Sequence, residues 1–320
     1  MSGVSSGYLL PEEELSHRRP KRVAETSDGR QGRKQEGGSS NALLTWDDID
    51  DWRRDNEYIV SGYRRLQRSF RGCIHSIYGY LHNETVNIHS HLIGAILFVW
   101  FLITFQQTYI ARYEGTSWLD TSVFAIFLTS AVICLLFSAS YHTFDAHSEE
   151  VSVKCHALDY SGIVVLTLGS FFPCIYYGFY CDPHYQLFYL SVLSLAGIGA
   201  AYIVLNPEYR KPTHRGARTT VFIALGLCGV IPVTHGLFTH GFEKLCFEMG
   251  FGWLLLSASF YIGGALLYAN RIPERLSPGT FDYFGASHQI FHFCVVFAAL
   301  SHYACVLTAF EHWHSKAGQC

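Results

Sequence analysis

Ser287-His288-Gln289-Ile290-Phe291-His292-Phe293-Cys294-Val295-Val296-Phe297-Ala298-Ala299-Leu300 opens the last long apolar run of the chain, which continues to about residue 310. On an α-helix His288 and His292, four apart, lie one above the other and can offer two imidazole nitrogens to a single ion; on a strand they would share a side but stand too far apart. The pair alone fits a metal site and two ordinary polar residues near a helix end equally well. The run that carries it is long enough to cross the hydrocarbon core, which takes about 20 residues. Six more apolar segments precede it, at roughly 91–110, 120–142, 157–180, 185–206, 218–238 and 249–270. The pattern predicts an all-α fold, a seven-transmembrane helix bundle. Pro173 and Pro232, inside the third and fifth segments, predict helix kinks. No period of about 20 to 50 residues repeats, which argues against a repeat array.

Composition agrees. With 49% hydrophobic and 15% charged residues over 320 positions, the chain is too apolar for a soluble protein of its length. A mean hydropathy of +0.16 understates this, because the first 80 residues carry 13 of the 23 Lys and Arg and 12 of the 26 Asp and Glu. Residues 1–42 mix Ser, Gly, Glu and Arg without periodicity and are predicted to form a disordered cytosolic tail. In the juxtamembrane stretch 43–85, Thr45-Trp46-Asp47-Asp48 fits a capping box and Trp46, Ile49 and Trp52 recur on one side, predicting a short amphipathic surface helix. Arg53, Arg54, Arg64, Arg65, Arg68 and Arg71 follow, where anionic cytoplasmic lipid attracts them. Residues 86–312 form the membrane domain and 313–320 a short outer tail. No apolar segment lies near the start, so no cleavable signal peptide is expected. Ten cysteines without a C-x-x-C pair argue against a zinc ribbon or a disulfide framework. Most are expected to act as small apolar residues, while a bridge among Cys181, Cys246 and Cys320, which can share one side of the membrane, stays open.

Loop charge sets the orientation. With the amino terminus cytosolic, Lys154, Arg210, Lys211, Arg215, Arg218, Arg271 and Arg275 lie inside and only Arg112, Lys244 and Lys316 outside. The carboxyl terminus is then extracellular or lumenal. In this topology Ser138-x-x-x-His142 ends the second span on the inner side, His156-x-x-Asp159 starts the third, and His288 and His292 start the seventh. The first span starts there too, after Glu84-x-x-Asn87 and His89-x-His91. Ionisable groups inside a span are costly and usually face the bundle interior, where they pair or bind something. Three histidines from two helices beside a carboxylate suit a catalytic zinc, which takes three protein ligands and keeps a fourth position for water. The expected ligands are His142, His288 and His292, with Asp159 as base and Ser138 orienting water or a carbonyl. His302, ten residues past His292 and about 15 Å along the helix, and His235 in the outer half are expected to bond between helices. His156 is expected at a loop end, and Glu84 and Asn87 brace the start of the first helix.

These clusters resemble the progestin and adipoQ receptor family, also called haemolysin-III related, which includes the adiponectin receptors and their fungal relatives. Glu84-x-x-Asn87-x-x-x-His91, Ser138-x-x-x-His142, Asp159 and His288-x-x-x-His292 carry the resemblance, which covers about residues 43 to 312. Trp52, Asp55-Asn56, Ser69-Phe70-Arg71, Cys73, Asp159-Tyr160-Ser161-Gly162 and Asn206-Pro207 look similar to the adiponectin-receptor branch, and the overall style to its fungal members. Val86 and His89 depart from the family pattern without touching the expected ligands. The resemblance implies a seven-helix bundle with an intramembrane Zn2+ held by His142, His288 and His292, and either of two functions. One is a ceramidase-like lipid amide hydrolase acting on a ceramide-type substrate with a fatty acid as product or ligand. The other is a receptor or membrane sensor with a structural zinc and an extracellular ligand of unknown identity. Membrane lipids are the expected partners, with no nucleic acid, and the plasma membrane or endoplasmic reticulum the expected location.

Overall fold

A computed structural model describes residues 42–210, 212–315 and 320. The disordered tail expected over 1–42 thus falls, except for Ala42, outside the described residues, as do Lys211 and Lys316. The described chain is helical, with ten α-helices: α1 (Phe70–Gly79), α2 (Thr85–Thr108), α3 (Trp118–Phe144), α4 (Glu149–Gly178), α5 (Pro183–Leu205), α6 (Arg215–Leu227), α7 (Val230–His240), α8 (Phe242–Glu248), α9 (Phe251–Asn270) and α10 (Ser287–His314). Seven helical stretches are long and apolar enough to cross a membrane: α2, α3, α4, α5, α6 with α7, α9 and α10. The starts of α2, α4 and α10 and the end of α3 gather at one end of the bundle, the histidine end.

Two expectations about the spans change. The third begins at Glu149 rather than near residue 157, so His156 is not at a loop end. It sits inside α4, its ring stacked on Tyr141 with centroids 4.7 Å apart. The seventh runs on through His314. Of the two prolines, Pro173 sits within an uninterrupted α4. Pro232 follows a break at Cys228 and Gly229 that divides the fifth span into α6 and α7. A proline four residues on frees the Cys228 carbonyl and crowds that turn, which accounts for the break.

Lipid tails are as apolar as leucine, so close packing rather than transfer from water holds such helices together. Along α4, Gly162 and Gly169 lie against α3: a Cβ on Gly162 would come within 2.9 Å of the Cys134 Cα, and one on Gly169 within 2.5 Å of the Ser130 Cβ. The two helices therefore meet backbone to backbone. Phe98, Phe124, Phe127, Leu135 and Phe310 fill the space between α2, α3 and α10. Outward, Ile93, Ile96, Trp100 and Ile103 of α2 and Leu187, Leu195, Ile198 and Tyr202 of α5 are exposed, a surface that only lipid would cover.

Under the histidine end, residues 42–66 form a strap. Where the sequence pattern places a helix over Trp46–Trp52, the structure has two single 3₁₀ turns, Trp46–Asp48 and Asp51–Arg53. The Thr45–Asp48 capping box does form, but Ile49 is extended and turns inward against Ile59, Tyr63 and Ala286. The amphipathic helix of this region is α1, capped by Ser69, with Cys73 and Ser76 buried and Phe70, Ile74 and Tyr78 exposed. The strap is fastened to the α9–α10 loop by Asp55 to Arg271, Asn56 Nδ2 to Glu274 Oε1 at 3.0 Å and Ser61 Oγ to Asp282 Oδ2 at 2.6 Å. Arg64, expected at the lipid surface, and Arg218, expected in an inner loop, are both buried. Arg64 bonds to Asp145, and Arg218 lies inside α6 over the Tyr160 ring, bonded to the Tyr209 carbonyl. Both have hydrogen-bonding partners there. At the far end Asp120 is buried, accepting from Ser117 Oγ at 2.9 Å, Tyr177 Oη at 3.0 Å and His314 Nε2 at 2.9 Å. A Cys181–Cys320 disulfide is there too, leaving Cys246 free.

Candidate metal centre

His142 comes from the last turn of α3, and His288 and His292 from the first two turns of α10. One ring nitrogen of each lies within 4.8 Å of the other two, the only such metal-capable group among the described residues. Hydrogen bonds fix the tautomers. His142 Nδ1 donates to Glu84 Oε2 at 2.7 Å, leaving Nε2 buried without a hydrogen-bond partner. His292 Nδ1 donates to the Asn87 carbonyl at 3.0 Å, which directs its Nε2 lone pair into the cluster. A buried imidazole nitrogen without a partner is costly. Neutral imidazoles converging in this way are the donor set of a divalent cation such as zinc, and the residues fit one.

The supports are built from the opening turn of α2. Glu84 also accepts from Asn87 Nδ2 at 2.6 Å, so one turn holds both His142 and His292. His91, one turn further, stacks on His292 with centroids 3.8 Å apart and reaches the His292 carbonyl with Nε2 at 3.2 Å. Beneath, the buried Arg64 guanidinium donates to the carbonyls of His142 and Thr143 and to Ser76 Oγ, closing the α3 carboxyl end where backbone acceptors lack helical partners. The turn between α1 and α2 is held by His82. Its Nδ1 accepts from the Glu84 amide at 3.2 Å and its Nε2 donates to the Ser76 carbonyl at 3.2 Å. Burial first, and then Arg64, push its pKa down to about 3.

Each expected residue has a definite place. His142, His288 and His292 converge. Ser138 of α3 and Asp159 of α4 both line the cavity that the three imidazoles close. His302 bonds across helices to the Ser170 carbonyl at 3.0 Å and His235 to Tyr189 Oη at 3.0 Å, as the sequence suggested. Glu84 and Arg64 are the residues whose part was underread. The Glu84-x-x-Asn87 spacing signals a helix start, and only the fold shows that this start abuts His142.

The cavity measures about 870 Å³. From the imidazoles it passes Tyr261 and Leu254 and reaches Val233, Leu245 and Met249 towards the far end. It lies within the size range of small-molecule sites, polar at one end and apolar over most of its length.

Seven spans around three converging imidazoles, two of them buried, define a multi-pass integral membrane protein with a candidate metal centre at one end of its bundle. Residues 79–303 match the family described as haemolysin-III related. The chain is 39% identical over 276 residues to the ADIPOR-like receptor IZH2 of Saccharomyces cerevisiae, covering 86% of each chain. It is 42% identical over 265 residues to Progestin and adipoQ receptor-like protein 1 of Caenorhabditis elegans, covering 82% of this chain and 59% of the nematode protein. It is 35% identical over 289 residues to Heptahelical transmembrane protein 1 of Arabidopsis thaliana, covering 86% and 83%. The chain belongs to the haemolysin-III-related family and is adiponectin-receptor-like.

Proposed function

We propose that this protein is a zinc-dependent lipid amide hydrolase of the ceramidase type, acting in lipid and membrane homeostasis. The observation that carries the reading is the continuity of the cavity: one polar end holds three imidazoles and a carboxylate–hydroxyl pair, and the rest is an apolar channel of acyl-chain dimensions. When bound, zinc supplies a Lewis acid that polarises a carbonyl and makes water acidic enough to attack at neutral pH. His142, His288 and His292 hold it, and Glu84 and the Asn87 carbonyl keep His142 and His292 in the donor tautomer. Asp159 takes the proton of the attacking water and delivers it to the amide nitrogen, which leaves as an amine while the acyl group leaves as a carboxylic acid. Ser138, on the cavity wall with Asp159, orients the water or the scissile carbonyl. The channel buries the acyl chain and keeps bulk water from the reacting bond.

Loop charge supports a cytosolic amino terminus, which puts the metal centre near the cytosolic face. A Cys181–Cys320 bridge at the opposite end supports the same orientation, since disulfides persist on the outer or lumenal side. The membrane occupied is then the plasma membrane or the endoplasmic reticulum.

A second reading is a receptor or sensor with a structural zinc. The fastening of the strap to the α3 end through Arg64 favours it, because a rearrangement of the spans would be passed to the amino-terminal region. Turnover of a ceramide by the purified protein separates the two. The hydrolase reading predicts that Asp159→Asn abolishes turnover while zinc stays bound. Turnover equal to wild type in that variant, or none in the wild type, refutes it.

A further inference from the structure

Beyond the middle of α4 and α10, the cavity wall carries a second group of reactive side chains. Cys174 of α4 has its Sγ 3.7 Å from His302 Nε2 of α10, and Cys305, one turn along α10 from His302, lines the same cavity. His302 Nε2 also donates to the Ser170 carbonyl at 3.0 Å, so it presents an N–H, not a lone pair, to the Cys174 sulfur. Cys305 Sγ lies 3.3 Å from the Met249 carbonyl. Both thiols are unbridged, and both face the cavity with His302. Cys305 lies thirteen residues past His292, roughly 20 Å from the metal centre by helical rise. At that depth only the chain of a lipid, not its headgroup, reaches the sulfur.

We propose that Cys174, His302 and Cys305 form a thiol site that reduces a hydroperoxide carried on an acyl chain in the cavity. The inference rests on the reading that the cavity takes acyl chains and not on hydrolysis at the metal. A thiol beside a donor that stabilises its anion is a nucleophile, and a second thiol in the same cavity wall can resolve what the first forms. The Cys174 sulfur attacks the terminal peroxide oxygen and the O–O bond breaks. The Cys174 proton passes to the departing alkoxide, giving a lipid alcohol and a Cys174 sulfenic acid. The Cys305 sulfur then displaces that hydroxyl, which leaves as water with the Cys305 proton, and a Cys174–Cys305 disulfide joins α4 to α10. The two sulfurs lose two electrons and the peroxide gains them, so one event per chain needs no further reductant.

The test uses the full chain in lipid nanodiscs, treated with linoleic acid hydroperoxide. The expected result is the loss of two free thiols per chain, an equal amount of the lipid alcohol, and a Cys174–Cys305 cross-linked peptide two hydrogens lighter than its parts. Cys305→Ser should stop at a Cys174 sulfenic acid that dimedone traps, and His302→Gln should slow the reaction about tenfold. His288→Ala, whose metal centre is broken, should react like the wild type, which separates this site from the hydrolase reading. Both thiols remaining free overturns the proposal. So does oxidation that falls instead on Cys155 or Cys246, or a lipid adduct on Cys174 without disulfide.

Discussion

Glu84 shows how much of this centre depends on a residue that touches no metal. Its carboxylate fixes the proton on His142 Nδ1 and so decides which nitrogen is free to bind. Glu84→Gln removes the charge and leaves an amide able to present the wrong group to the ring. Outer partners of metal-bound histidines are worth 10- to 100-fold in affinity, so zinc competition titration should show about that loss, with the helical content unchanged. Unaltered affinity would make Glu84 a helix-start residue alone. His82 gives a pH signature. Its folded pKa, about 3, lies below the unfolded value near 6.5. Below pH 6.5 the unfolded chain therefore takes up a proton that the folded chain refuses. The stability it contributes is fully present above pH 6.5 and is lost as pH falls towards 3; at pH 5 the loss is about 2 kcal/mol. His82→Gln, which can still accept and donate, should show a smaller fall in thermal stability between pH 7 and pH 5 than the wild type; an equal fall would assign the pH response elsewhere. That His142, His288 and His292 could come together was legible in the sequence because two of them share one helix at i, i+4. The parts played by Glu84 and Arg64 were not, since their partners lie 58 and 78 positions away.

Among the elements, the α3–α4 pair positions Asp159. Gly162 is one turn from Asp159, and its close approach is to the backbone at Cys134, one turn from Ser138. A methyl group there meets a Cα, which cannot rotate aside. Gly162→Ala should therefore spread the two helices at a cost of about 1–3 kcal/mol and shift Asp159 relative to Ser138. Thermal unfolding together with ceramide turnover reads both effects; a variant that is stable and fully active would show that the approach is not needed. Spans were legible because an apolar run of membrane length admits few structures. The strap was not. Trp46, Ile49 and Trp52 have helical spacing, but Ile49 finds its apolar partners in Ile59, Tyr63 and Ala286, and burying it there breaks the helix into two turns. Over Phe70–Gly79 the residues Phe70, Ile74 and Tyr78, four apart, stay exposed on one face and the helix forms.

At the scale of the whole molecule, the bundle is asymmetric. One end gathers the imidazoles, the strap and most loop arginines, and the other is held by Asp120, His314 and the Cys181–Cys320 bridge. Loop charge made that asymmetry legible, and the depth shared by His142, Asp159 and His288 followed from it. The cavity is not legible in the sequence, because its walls come from α3, α4, α6, α7, α9 and α10, whose packing no spacing discloses. Orientation is open to direct test: in sealed vesicles with the outer side exposed, an impermeant maleimide should label Cys181 and Cys320 only after mild reduction and from outside. Labelling from the other side would invert the topology. The central claim, that the three imidazoles are a zinc centre, is tested most directly by elemental analysis of the purified full chain. The account predicts about one zinc per chain, lost in His142→Ala, His288→Ala and His292→Ala alike. A wild-type protein without zinc, or variants that keep it, would contradict the account.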